Sequence, residues 1–109
     1  MSIRKNKQIT REITREITKD TVPTTPAEAI QVLDILLSDD DKDYLRTEKN
    51  AAIKVHHSLG RWIRNNWGLW ADEPNELKSY FINKGVTHPD DMSGEILDAY
   101  VEYLKSTEQ

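Results

Sequence analysis

The side chains best suited to chemistry lie in two short stretches. His56 and His57 stand side by side, followed by Arg61, Arg64 and Asn65, and His88 precedes Pro89, Asp90 and Asp91. On one continuous helix His57, Arg61, Arg64 and Asn65 fall at i, i+4, i+7 and i+8 and share a face. That face would grip an anion or a partner's carboxylate through the planar donor forks of the arginines. The plainer reading is that Arg61 and Arg64 pair with this domain's own acids, with Asp90 and Asp91 the nearest candidates. His56 and His57 would point about 100° apart on a helix, so they do not hold one metal as an i,i+4 pair does. A set of two histidines and one carboxylate drawn from His56, His57, His88, Asp90 and Asp91 would be needed for a metal-dependent or hydrolytic enzyme. Cap and core roles compete with that reading, and His88 is expected to cap the helix that follows it. No nucleophile elbow, phosphate loop or paired-carboxylate spacing is visible, so no catalytic residue, cofactor or metal is assigned.

The remaining candidates are apolar. Trp62, Trp67 and Trp70 cluster in a chain with one Phe, and such a cluster is expected to be core rather than a ligand-stacking platform. Residues 9–20 read Ile-Thr-Arg-Glu twice and then Ile-Thr-Lys-Asp. As a helix this gives a narrow stripe of Ile9, Ile13 and Ile17 flanked by charge. As a strand it puts Ile9, Arg11, Ile13, Arg15 and Ile17 on one face. Three isoleucines cannot offset the ordering entropy of a lone twelve-residue helix, so this arm calls for a partner surface or a second copy of itself.

The elements that would position these residues are helical. Thr25, Pro26 and Glu28 form a capping box that starts a helix over 26–37, with Ile30, Leu33 and Leu37 on its inner stripe. Ser38 and the run Asp39 to Asp41 start a short second helix to about 46. A third is expected over 50–67, ended by Gly68 in the Schellman manner. Gly60 inside it implies a close approach, and Asn66 on its inner stripe implies a polar partner near the chain reversal. A fourth over 74–84 would be capped near Asp72 or Glu73 and stopped by Gly85. The last begins after His88, with Met92, Ile96, Ala99, Tyr100, Tyr103 and Leu104 inward. The expected fold is all-α, a compact bundle of four to five helices over 23–109, with a separate N-terminal arm over 1–22.

The stretches Trp62-Ile63-Arg64-Asn65-Asn66-Trp67-Gly68-Leu69-Trp70 and His88-Pro89-Asp90-Asp91-Met92-Ser93, with Tyr80-Phe81 between them, resemble a family of uncharacterised bacterial domains. The resemblance covers about 25–105 and leaves out the arm. It implies a fold unit and no particular reaction.

Composition bounds the rest. A chain of 109 residues holds one domain, and with no cysteine it has neither disulfides nor thiolate ligands. No apolar run approaches the ~20 residues that cross a bilayer, and the basic start lacks an apolar stretch of signal type, so a cytoplasmic location is expected. The net charge of −4 is spread as +3, −4, +3 and −6 over residues 1–20, 21–50, 51–70 and 71–109. Only the arm and the 51–70 stretch could lie on phosphate. The leading expectation is therefore a non-enzymatic protein-interaction module, a small regulator or inhibitor of a larger protein. It would act through Ile9, Arg11, Ile13, Arg15 and Ile17 of the arm and the His57/Arg61/Arg64/Asn65 face, with homo-oligomerisation through the arm. Nucleic-acid binding by the arm and the same arginines comes second, and the enzyme third.

Overall fold

In the computed structural model, residues 16–107 are described, and they contain six helices and no strand. The helices are α1 (Pro26–Leu36), α2 (Asp39–Thr47), α3 (Ala51–Lys54), α4 (Leu59–Asn66), α5 (Glu76–Asn83) and α6 (Pro89–Ser106). None of them is long and apolar enough to cross a membrane.

Local sequence sets most of the boundaries. At α1, the Thr25 side chain accepts from the Glu28 N–H at 3.1 Å and Pro26 occupies the first turn. The Glu28 carboxylate reaches one residue further back than a capping box requires. Its Oε1 accepts from both the backbone N–H and the hydroxyl of Thr24, each at 2.9 Å. This ties down a stretch that reads in sequence as a hinge. Ser38 caps α2 through the Asp41 N–H, and His88 caps α6 by accepting from the Asp90 N–H on Nδ1 at 3.0 Å.

Both helix stops read from glycine hold. Gly68 at φ 73° lets the Leu69 N–H reach the Arg64 carbonyl, and Gly85 at φ 87° lets the Val86 N–H reach that of Phe81. Each is the six-residue closure of a Schellman motif.

Two boundaries differ from expectation. The helix expected over 50–67 is broken at 55–58, where the Val55 carbonyl accepts from both Ser58 and Gly60. His56, His57 and Ser58 there, and Gly60 in the first turn of α4, are weak helix formers, and the His56 carbonyl freed by the break is taken up by Arg64. The cap of α5 is Asn75, not Asp72 or Glu73. Asn75 accepts from the Lys78 N–H while its amide donates to the Trp67 carbonyl at 3.0 Å. An ionised aspartate or glutamate has no proton for that second bond.

The spine is α6, which packs against α1, α2, α3 and α4. It buries Met92, Ser93, Ile96, Leu97, Tyr100, Val101 and Leu104, a wider face than the one stripe expected, because neighbours surround it on several sides. Against it lie Ala29, Val32 and Leu33 of α1, Leu45 of α2 and Ile63 of α4, and the same core cluster takes in Leu77 and Phe81 of α5.

Candidate functional site

The chain break at 55–58 and the start of α6 bring the chemistry-bearing residues together around one guanidinium. Arg64 lies on the inner face of α4 and is 5% exposed. Its Nη1 donates to Ser93 Oγ at 2.7 Å, and its Nη2 donates to the His56 carbonyl at 3.3 Å. Its Nε lies 3.3 Å from Asp90 Oδ1 but is not aligned to donate, so that contact is Coulombic rather than a hydrogen bond. Ser93 passes its own proton to the Asp90 carbonyl at 3.1 Å. One buried side chain thus joins α4, the first turn of α6 and the 55–58 turn. Gly60 is part of the fit: a Cβ there would stand 3.1 Å from Arg64 Nη1 and 3.5 Å from Leu97 Cδ1. The close approach expected at this glycine is made by the guanidinium.

His56 Nε2 and His88 Nδ1 each stand 4.0 Å from Asp90 Oδ2. Because His88 Nδ1 accepts from a backbone N–H, it carries no proton in this arrangement and the pair is not an ion pair. Among the described residues, no group of three or more histidine or carboxylate side chains is placed to hold a metal ion.

The shared face expected for His57, Arg61, Arg64 and Asn65 is not formed. His57 belongs to the turn before α4, with its ring edge-on to His56 at 4.9 Å. Arg61 and Asn65 are exposed on α4, whereas Arg64 points into the core. The physical reason is the break after Lys54, which removes His57 from the helical register, together with the pull of Ser93 and Asp90 on Arg64. The internal pairing of Arg64 with Asp90 is the plainer of the two sequence readings. Asn66 is also exposed, its amide donating to the Trp62 carbonyl one turn back. The polar partner at the chain reversal is Asn75 instead.

The tryptophans part company. Trp67 is 2% exposed and is core, Trp62 is half-buried and edge-on to it at 5.8 Å, and Trp70 is 52% exposed with its ring edge toward His88. Of the arm residues, Ile9, Arg11, Ile13 and Arg15 lie outside the described residues. Ile17 is described and packs, partly buried, against the core, in a recess with Ile30, Asp34, Ile35 and Tyr103.

Sequence reasoning missed an apolar concavity. Leu36 and Leu37 at the end of α1, Leu45 and Tyr44 of α2, Val55, and Leu59 and Trp62 of α4 wall a groove of about 460 Å³, with Asp41 on its rim. Part of its signal in the sequence is the row Val55, Leu59 and Trp62 at i, i+4 and i+7; on the α1 side it uses Leu37 of the expected inner stripe and Leu36 beside it.

The fold and this pair of features define a small all-helical domain with an internal arginine clamp and an open apolar groove. The family model "Domain of unknown function (DUF6794)" matches residues 22–104, and the chain belongs to that family. No curated protein and no solved structure matches it.

Proposed function

We propose that this protein is a non-enzymatic protein-interaction module, a small regulator or inhibitor whose partner docks in the Leu36/Leu59/Trp62 groove. The observation that carries this reading is the groove itself: about 460 Å³, walled mainly by aliphatic and aromatic side chains, beside the acidic first turn of α2. A concavity of that make-up suits one amphipathic segment with apolar residues at helical spacing and basic flanks. The Arg64 cluster is engaged internally by Ser93, His56 and Asp90, which supports a positioning role for it rather than a binding one.

The test is affinity capture from lysate with and without nuclease treatment, using the full chain and Leu59→Lys as baits. Captured proteins are identified, purified and titrated back. A partner that binds the wild-type chain and is lost from Leu59→Lys, with an unchanged thermal melt, supports the reading. Tyr44→Lys, on the exposed side of the same groove, serves if Leu59→Lys fails to fold. Partners that bind both variants as well as wild type would overturn it, and capture that disappears with nuclease would favour nucleic-acid binding through the arm.

A further inference from the structure

The groove and the N-terminal repeat match in charge and in place along the chain. Ile17, which opens the third repeat unit, packs partly buried against this domain's core and lines a recess with Ile30 and Ile35. Ile35 and Leu36 are consecutive in α1. The first lines the recess that Ile17 also lines, and the second lines the groove. The described chain therefore begins beside α1, the helix that contributes to both concavities. Ile13 is four residues and Ile9 eight residues from Ile17, about 13 and 26 Å of fully extended chain, and the groove begins at Leu36, the residue after Ile35 in α1.

Charge points the same way. Residues 1–15 carry five basic groups and one acid, a net +4, while residues 16–109 carry ten and eighteen, a net −8. The groove's rim is Asp41, and Asp39 and Asp40 share its helical turn. The two repeat units over 9–16 offer apolar side chains, Ile9 and Ile13, and interleaved cations, Arg11 and Arg15, in the combination this surface would take.

We infer that residues 9–15 of the same chain occupy the Leu36/Leu59/Trp62 groove, Ile9 and Ile13 entering it and Arg11 and Arg15 meeting the acidic turn of α2. The inference rests on the groove being a docking surface, and it adds a regulation. An outside partner has to displace the arm, so its apparent affinity falls by the fraction of molecules whose groove is open.

The absence of cysteine makes the experiment specific. A nitroxide is attached to Thr14→Cys in the full chain, and paramagnetic broadening is read by NMR at the amides of Leu36, Leu45, Val55 and Leu59 and at the Trp62 indole. The Trp70 indole, which stands beside His88 and lines no part of the groove, is the reference. The expected result is selective loss of the groove signals, their recovery in high salt, and their recovery when Ile9→Asp and Ile13→Asp are added. Broadening confined to Ile30, Ile35 and Tyr103, or none at all, would overturn the inference. So would broadening that appears only in a mixture of spin-labelled and isotope-labelled molecules, which would assign the groove to the arm of a second copy. None of these readouts needs an outside partner. If the arm is absent from the groove but Leu59→Lys still loses a captured partner, only this inference fails; the reverse pattern removes the regulator reading and leaves an intramolecular clasp.

Discussion

Arg64 has exchanged solvent for three partners from two other segments, and its removal leaves each of them in a place built for a cation. Arg64→Ala is expected to destabilise the domain by about 3 kcal/mol, from the loss of its hydrogen bonds to Ser93 and the His56 carbonyl. Asp90→Asn should cost far less, about 1 kcal/mol, since the Asp90 side chain is 45% exposed and its attraction is screened. Urea unfolding of the two variants checks the order, and equal losses would mean that the carboxylate, not the guanidinium, organises the cluster. A second buried polar group makes stability depend on pH. The Tyr100 hydroxyl is fully buried and donates to Asp34 at 3.1 Å. Burial first, and then the Asp34 carboxylate, push its pKa well above the ordinary 10. A group whose folded-state pKa is raised stabilises fully below its unfolded value, and that stability is lost as pH rises from about 10 through the folded value. Melting temperature should therefore fall above pH 10 in the wild type and fall less steeply in Tyr100→Phe. The variant itself should lose about 1–2 kcal/mol at neutral pH for the missing hydrogen bond.

At the scale of elements, the three tryptophans and the last repeat isoleucine separate core from surface. Trp67→Ala is expected to cost about 3–5 kcal/mol, while Trp70→Ala, half exposed on the far side of Gly68, should change stability by no more than about 0.5–1 kcal/mol. Ile17→Ala should cost about 1 kcal/mol, because its side chain is only partly buried on the core. Thermal and urea melts of the three variants check this, and an unchanged Ile17→Ala would mean that the third repeat unit is no part of the domain's stability. The caps at Thr25, Ser38 and His88 and the stops at Gly68 and Gly85 were legible in the sequence, because each is decided by residues within a turn or two of itself. The all-helical class followed from the same signals. The break at 55–58 was not legible, since what stabilises it is the His56 carbonyl meeting Arg64, and what holds Arg64 is Ser93, 29 positions away. Periodicity treats a helix as if its neighbours were silent, so His57, Arg61, Arg64 and Asn65 read as one face. The groove was hidden for a related reason: its walls come from α1, α2, the 55–58 turn and α4, and no single stripe announces it.

For the whole molecule the governing quantity is how charge is divided. Non-specific nucleic-acid affinity grows with the number of phosphates neutralised and falls with salt at a slope of about −0.9 per contact. Residues 1–20 supply six cations against three acids, and residues 71–109 carry a balance of −6. Arg64, one of the three cations of 51–70, is buried against Asp90, which leaves that stretch with little to offer a phosphate backbone. Binding of the full chain to a mixed-sequence duplex should therefore be weak, with dissociation constants of about 10⁻⁵ M or higher at physiological salt, and the slope of log K against log salt should be no steeper than about −5. Substituting Arg11 and Arg15 by Gln should remove most of what remains, while Arg61→Gln should change it little. Fluorescence anisotropy over a salt series measures all of these. A sub-micromolar constant at physiological salt, or a loss on Arg61→Gln equal to that on the arm variants, would show that cations outside the arm form a phosphate-binding surface and would raise nucleic-acid binding above the protein-docking reading.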